Sequence, residues 1–178
     1  MKYAVLYSSK TGNTKQLSDC LMGLLGNKAR CIEMTPGMPA PEEDLLLIGY
    51  WVDKGTCPEE VKELLQRLEG KKILFFATAG FGQTQSYFSQ IAAGVEALAK
   101  ENNEVLGSFF CQGRMPEGIR ARYEAMLREN PEDKKARVFL HNFEQALCHP
   151  NAEDLKNLLD FAVRLLPEEI GKGENGNV

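Results

Sequence analysis

The short segment SSKTGNT, residues 8–14, holds four hydroxyl side chains, a glycine and an asparagine within seven positions. It follows the apolar run KYAVLY and precedes a helical pattern, which predicts a loop between a strand and a helix N-terminus. Hydroxyl donors, free backbone N–H groups and the positive end of the helix dipole favour an anion, and phosphate is the expected ligand. Gly12 lets the backbone turn close to that anion without a side-chain clash. A serine- and threonine-rich helix cap is the alternative interpretation.

Two other phosphate-binding motifs are absent from the sequence. The P-loop pattern fails because Gly12 is followed by Asn13. The segment GFGQTQ, residues 80–85, lacks the third glycine of a dinucleotide-binding loop. The loop at residues 8–14 is therefore of a different kind.

The elements that must position this loop alternate between two periods. Short apolar runs at residues 2–7, 29–34, 44–50, 71–80 and 104–111 predict strands, and residues 13–25, 59–68 and 85–100 predict helices. The runs are apolar on both faces, which is typical of a parallel sheet covered by helices on both sides. Ligands of such sheets bind at the carboxyl ends of the strands, where the strand order reverses. We therefore expect a site formed by the loops after strands one, three and four.

The chain after the fifth strand is helical throughout. Residues 116–130, 133–147 and 151–166 predict three helices, of which the last closes the sheet. The first two then form a helical insertion at about residues 115–148 of a single domain that spans residues 1–170. Residues 171–178 are glycine-rich and polar, and they are expected to form a flexible tail.

Composition and charge narrow the class of protein. A chain of 178 residues can bury roughly 70% of its unfolded surface, so a self-sufficient core is expected. The formal net charge of −4, with cations dispersed among acids, predicts no binding to nucleic acid or to anionic lipid. No targeting segment or apolar span of about 20 residues is evident, and the five cysteines include no Cys-x-x-Cys pair. These features predict a cytoplasmic protein with reduced thiols and, because it has two histidines, no metal site.

The loop and the alternation of elements together resemble a known family. SSKTGNT resembles the phosphate-binding loop of the flavodoxins, and the five-strand pattern resembles the flavodoxin-like α/β fold. The resemblance implies a doubly wound, five-stranded parallel sheet of order 2-1-3-4-5, with the helical insertion before the last helix, and FMN as cofactor. The implied phosphate-binding residues are Ser9, Lys10, Thr11, Gly12, Asn13 and Thr14. The segments FFCQGRMP and HPNAEDL also resemble short flavodoxin-like proteins encoded with tetrapyrrole or bilin reductases.

The loop after the third strand, GYWVDKGTCP, carries candidate partners for a flavin ring. Such a ring needs flat apolar or aromatic contacts, and Tyr50 or Trp51 can supply one. The aromatic position of flavodoxins lies about two residues later, so the stacking residue is Tyr50, Trp51 or neither, and burial in the core is the alternative. The resemblance places Asp53 and Gly55 where the family uses a flexible peptide against the ring. The implied contacts are Tyr50, Trp51, Val52, Asp53, Lys54 and Gly55.

Within TCPE, Thr56 and Glu59 predict a capping box at the start of the second helix.

The loop after the fourth strand, ATAGFGQTQSYF, is rich in small residues, which let backbone N–H groups approach the pyrimidine side of a flavin. The implied contacts from this loop are Thr78, Ala79, Gly80, Phe81 and Gly82, with Phe81 at the ring edge. Tyr87, in the helix that follows, is predicted to belong to the core.

The charges near the predicted site differ from those of the family. Lys10 and Lys54 lie where flavodoxins are usually acidic, which favours a higher reduction potential of the flavin or a differently charged partner. The helical insertion also carries several arginines and lysines among acids. A solvated helix surface accounts for them, and docking of a redox partner is the alternative.

The functional hypothesis is an FMN-binding electron carrier. It would take electrons from an NAD(P)H-linked reductase or a ferredoxin-type donor and pass them to a partner reductase, with no catalytic residue of its own, because the cofactor supplies the redox chemistry. The first alternative is an FMN-dependent NAD(P)H:flavin or quinone oxidoreductase. The second is a non-redox interaction module on the same fold. The sequence carries no indication of the oligomeric state.

Overall fold

The computed structural model describes residues 3–82, 84–99 and 103–166 of the chain. Its strands are β1 Tyr3–Tyr7, β2 Ala29–Glu33, β3 Leu45–Trp51, β4 Lys72–Ala79 and β5 Glu104–Gln112. Its α-helices are α1 Asn13–Leu25, α2 Glu59–Leu65, α3 Gln85–Glu96, α4 Glu117–Glu129, α5 Lys134–Ala146 and α6 Ala152–Leu165. The predicted tail, residues 171–178, lies outside the described residues.

The five strands form one all-parallel sheet in the order β2-β1-β3-β4-β5, which confirms the predicted fold class. The chain runs from β1 outward to β2 and then crosses to β3 on the other side of β1. The strand order therefore reverses between β1 and β3, and the carboxyl ends of these two strands flank the crevice where ligands bind in such sheets. Strands β1, β3 and β4 are buried along almost their whole length, as their continuous apolar runs predict.

Each face of the sheet has its own apolar core. On one face, Leu17 and Leu21 of α1 and Leu158 of α6 pack against the sheet. On the other face, Val61 of α2 and Ile91 of α3 fill the same role. The two layers of helices hold the sheet rigid, so the loops at its carboxyl edge leave from fixed points.

The helices α4 and α5 occupy the stretch predicted as an insertion. They contact each other as a hairpin, and α4 has no buried residue whereas α5 buries Ala136, Asn142, Phe143 and Ala146. The hairpin therefore joins the rest of the domain mainly through α5.

The predicted capping box at α2 is wrong. Helix α2 begins after Pro58 without a side-chain cap, while the backbone of Thr56 exchanges hydrogen bonds of 3.0 and 2.8 Å with the backbone of Asp53. Thr56 therefore closes a tight turn that precedes the helix. A capping box does occur at α6, between Asn151 and Asp154.

Candidate cofactor site

A cavity of about 400 Å³ lies at the carboxyl edge of the sheet, beside the reversal of strand order. Four loops surround it, named here after the strands they follow: the β1 loop (residues 8–12), the β3 loop (residues 52–58), the β4 loop (residues 80–82) and the β5 loop (residues 113–116). Eleven of the predicted site residues line it, namely Lys10, Thr11, Asn13, Trp51, Val52, Lys54, Gly55, Thr78, Ala79, Gly80 and Phe81. The volume falls in the range of small-molecule and cofactor sites.

The β1 loop directs backbone N–H groups toward a single point. The N–H groups of Gly12 and Lys15 both donate to Ser9 Oγ, at 3.1 and 3.3 Å. Gly12 has φ +87°, a left-handed conformation that glycine adopts without strain. Helix α1 has a glycine at its N-cap position and no acidic residue in its first turn, so the side-chain oxygen that accepts from its first turn is that of Ser9. Converging N–H donors at a helix N-terminus without an acidic residue suit a phosphate group.

The four hydroxyl groups of this segment have different surroundings. Ser8 is buried and donates to the Glu60 carboxylate, and Thr14 is completely buried with its Oγ1 2.9 Å from Thr78 Oγ1. These two side chains tie the loop to α2 and to β4. Ser9 and Thr11 are more exposed; Ser9 Oγ accepts from the N–H groups of Gly12 and Lys15, and Thr11 Oγ1 accepts from Asn13 Nδ2 at 2.9 Å.

The end of strand β3 separates the two aromatic candidates, because successive side chains of a strand point to opposite faces. Tyr50 is fully buried, and its ring packs edge-on against Phe75 and Phe110. Burial raises the pKa of its hydroxyl well above the ordinary value, and the structure does not bring it into the cavity. Trp51 lines the cavity instead, with Lys10 Nζ 4.8 Å from the centroid of its ring.

The tip of the β3 loop is a tight turn that places a cation beside the cavity. Lys54 has φ +49° and Gly55 has φ +83°, while Asp53 and Thr56 form the closing pair. Two positive φ values in succession are typical of a type I′ turn, in which Asn-Gly is the preferred pair. Lysine in the first of these positions is uncommon, and it directs a charged side chain toward the cavity rim.

The β4 loop is held by residues far away in sequence. The carbonyl of Gly80 accepts hydrogen bonds from Asn142 Nδ2, at 3.0 Å, and from Gln112 Nε2, at 3.1 Å. Gln112 Nε2 also lies 3.1 Å from Asn142 Oδ1, and Asn142 is almost completely buried. Because the carbonyl and the next N–H of a trans peptide point in opposite directions, this network turns the Phe81 N–H away from α5.

Three other residues complete the account of this loop. The Phe81 ring packs edge-on against Phe139 of α5, with centroids 5.1 Å apart. Gly82 lies outside the cavity wall, where an added Cβ would come within 2.4 Å of the Phe88 ring. Tyr87, predicted as a core residue, packs against the core and also lines the cavity, and burial raises its pKa.

The β5 loop forms the fourth wall, which the sequence analysis missed. Gly113, Arg114, Met115 and Pro116 all line the cavity, as does Ile119 of α4. Asn13 Nδ2 donates to the carbonyl of Arg114 at 2.8 Å, so the β1 and β5 loops are joined directly. The position of this segment after a fifth parallel strand was the signal that could have revealed it, since that strand ends at the same edge of the sheet.

A larger groove, of about 990 Å³, runs beside the edge strand β2. Its charged residues are mostly acidic, with Glu33, Glu42, Glu43 and Asp44 against Arg30. This surface opposes phosphate binding, whereas the wall of the smaller cavity has three cations and no acid among its described residues.

Comparison with known proteins agrees with the observed fold. Residues 4–163 match the family model of the flavodoxin domain, so the chain belongs to this family. It is 34% identical to the flavodoxin-like domain-containing protein BilS of Clostridioides difficile (strain CD3), over 93% of this chain and 97% of that protein. It is also 34% identical to a BilS of Clostridium symbiosum (strain WAL-14163), over 98% of this chain and all of that protein.

Solved structures share the fold at low sequence identity. A short-chain flavodoxin associated with a PDU bacterial microcompartment has a TM-score of 0.56 and 17% identity, over 95% of this chain and 99% of that one. A flavoprotein from Lactobacillus acidophilus NCFM, solved in complex with FMN, has a TM-score of 0.50 and 17% identity, over 61% of this chain and 92% of that one. FMN is the cofactor of the flavodoxin family and binds at its switch point, which supports the prediction of FMN as cofactor.

Among the described residues, no helix is long and apolar enough to cross a membrane. Within the same ranges, no cluster of three or more histidine, cysteine, aspartate or glutamate side chains is placed to hold a metal ion. The assignment of individual residues to FMN stays a prediction.

Proposed function

We propose that this protein is an FMN-binding electron carrier that passes electrons to a partner reductase. The observation that supports it is the cavity at the switch point, which combines the N-terminus of α1 with an aromatic wall at Trp51. Bound FMN would supply the redox chemistry, taking up and releasing electrons. The protein would bind the cofactor, orient it and control its access to solvent.

The loops around the cavity have different proposed roles in binding FMN. The β1 loop would hold the phosphate with backbone N–H groups and the hydroxyl groups of Ser9 and Thr11. Trp51 would cover one face of the ring, and the peptide between Gly80 and Phe81 would present its N–H to the ring edge. No histidine, cysteine or carboxylate lines the described cavity wall, and burial raises the pKa of the Tyr87 hydroxyl, which keeps it protonated. This lining favours an electron carrier over an enzyme with its own acid–base chemistry.

The first test is the visible spectrum of the purified protein incubated with FMN and separated from free flavin. A carrier is expected to retain FMN at micromolar concentration and to accept electrons from dithionite in stepwise titration. On its own it is also expected to consume almost no NADPH. When a reductase is added, NADPH consumption is expected to begin. Loss of all FMN would contradict the proposal, and rapid NADPH oxidation without a partner would favour the oxidoreductase alternative.

The proposed location is the cytoplasm. The five cysteines support it, because they are free thiols and two of them, Cys31 and Cys148, are exposed. Thiols of this kind persist in reducing compartments.

A further inference from the structure

The wall of the cofactor cavity has the opposite charge to the protein as a whole. The chain has a formal net charge of −4, yet among the described residues the charged side chains that line the cavity are Lys10, Lys54 and Arg114. All three are exposed, so their charges face the solvent around the cavity mouth. We call these three residues the cationic rim. The nearest acids in sequence, Asp53 and Glu117, do not line the cavity.

Each member of the rim is fixed by contacts of its own. Lys10 lies over the Trp51 ring, and Lys54 occupies the left-handed position of the tight turn. Arg114 is held at its N–H by the His149 carbonyl, at 2.9 Å, and at Nε by the Leu147 carbonyl, at 3.0 Å. A lysine with positive φ is a strained choice that the surrounding structure must stabilise, and such residues are enriched at functional sites. The rim is therefore an ordered feature of the surface.

We infer that the cationic rim docks an acidic surface of a protein redox partner at the edge of the flavin site. This inference rests on the proposed electron-carrier function. Charge complementarity at a docking site increases the rate of encounter and selects among partners, and both effects weaken as salt screens the charges. The net charge of the chain alone predicts the reverse, because an acidic protein repels an acidic partner. The sign of the salt dependence therefore distinguishes the local rim from the global charge.

The first experiment measures the charge at the flavin edge with small one-electron oxidants. The full chain, loaded with FMN and photoreduced, is mixed in a stopped-flow instrument with ferricyanide, a trianion, or with hexaammineruthenium(III), a trication. Two oxidant ions each take one electron from the reduced flavin, iron(III) or ruthenium(III) becomes the divalent metal, and the released protons go to the buffer. The ferricyanide rate is expected to fall between about 20 and about 300 mM salt, while the ruthenium rate rises.

The second experiment replaces the small ions by proteins. Reduced plant-type ferredoxin, which is acidic, gives one electron to the oxidised flavin, and cytochrome c, which is basic, takes one electron from the reduced flavin. The ferredoxin rate is expected to fall with salt, and the cytochrome c rate is expected to rise or stay constant.

Substitutions test whether the salt dependence of these rates comes from the cationic rim. Lys54→Glu is expected to lower the ferricyanide and ferredoxin rates at low salt by on the order of threefold. Lys54→Gln should lower them less and keeps the test open if the charge reversal disturbs the turn. Lys134→Glu is the matched control, since it changes the net charge equally at the exposed start of α5, outside the cavity wall, and should leave both rates unchanged.

Three outcomes would overturn the inference. The first is a ferricyanide rate that rises with salt, and the second is an equal effect of Lys54→Glu and Lys134→Glu on the rates. The third is a salt dependence seen with ferricyanide but not with ferredoxin, because it would indicate a site for small anions only. Failure of the proposed function is visible beforehand, because the protein would then not retain FMN or not be reduced. A protein that carries electrons with the opposite salt dependence would disprove only the docking inference.

Discussion

The β1 loop and the β4 loop line the same cavity but are held in place in different ways. The β1 loop is held by local hydrogen bonds, because the N–H groups of Gly12 and Lys15 both donate to Ser9 Oγ and all three residues lie within a span of seven. The β4 loop depends on Gln112 and Asn142, which lie more than thirty residues away in sequence and hold the Gly80 carbonyl. A phosphate site can thus be built from local backbone geometry, whereas the cavity wall at Gly80, where we propose that the flavin ring lies, is held by β5 and by the α4–α5 hairpin. Comparing FMN with riboflavin, which lacks the phosphate, separates the two loops experimentally.

The largest effect is expected from Asn142→Leu in α5. The substitution leaves the Gly80 carbonyl with one donor fewer and removes the buried Asn142 oxygen that accepts from Gln112, which should cost about 2 kcal/mol of unfolding free energy. Because Asn142 then no longer holds the β4 loop, the affinity of the protein for both FMN and riboflavin should fall by about tenfold. Urea unfolding and flavin fluorescence titrations measure the two effects.

The control for this variant is His141→Ala, at the exposed neighbouring position of the same helix. It should leave stability and both affinities unchanged. If Asn142→Leu weakened the binding of FMN but not of riboflavin, the hairpin would act on the phosphate side. The contrast between the β1 loop and the β4 loop would then be wrong.

A second, smaller effect is expected from Trp51→Ala in the cavity wall. Loss of the aromatic surface should weaken FMN and riboflavin alike, by about tenfold or about 1.4 kcal/mol. Equilibrium titrations followed by flavin fluorescence give both constants. Unchanged affinity for either flavin would show that the ring lies elsewhere.

Gly12→Ala tests the β1 loop. Space is available for a Cβ, so the cost comes from the φ of +87° alone and should be about 1 kcal/mol of stability. The affinity for FMN should fall about threefold while that for riboflavin stays constant, since only FMN carries the phosphate. Gly118→Ala is the matched control, because that residue lies in α4 with ordinary helical geometry and equal space, and the change should be neutral or slightly stabilising.

The smallest effect is expected from Tyr50→Phe. The Tyr50 hydroxyl is buried and has no hydrogen-bond partner among the described residues, so its removal should change stability by less than about 1 kcal/mol, in the stabilising direction. FMN affinity should not change, because the ring lies in the core. A loss of FMN binding would mean that Tyr50 reaches the cofactor, against the packing on Phe75 and Phe110.

Much of the architecture was predictable because it depends on local patterns. The five apolar runs fell on the five strands, and the helical periods fell on the helices, with boundaries that differ by a few residues. The β1 loop was predictable for the same reason, since its geometry follows from a glycine at positive φ before a helix. The capping box at Thr56 was wrong because the same hydroxyl-bearing residue closes a turn with Asp53, and a short motif does not distinguish the two.

The functions of individual side chains were less predictable. Thr14 was predicted to bind the phosphate, and its side-chain oxygen lies beside that of Thr78, while the neighbouring Ser8 donates to Glu60; only the folded sheet brings these partners near. Between Tyr50 and Trp51 the choice depended on which strand face meets the core, and the structure assigns Tyr50 to it. A shift of one residue in register reverses such an assignment, so sequence spacing alone could not decide it.

The sequence by itself determined the parallel sheet and the loop that suits a phosphate, because these rest on periodicity and on contacts between near neighbours. The family followed from the resemblance of SSKTGNT to the flavodoxin loop. Only the tertiary structure decided that the β5 loop forms a wall of the cavity and that Asn142 holds the β4 loop. It also placed Arg114 beside Lys10 and Lys54 on one rim. The physical reason is that the parallel strands end at a common edge, so residues from distant parts of the chain meet there without a local signal in the sequence.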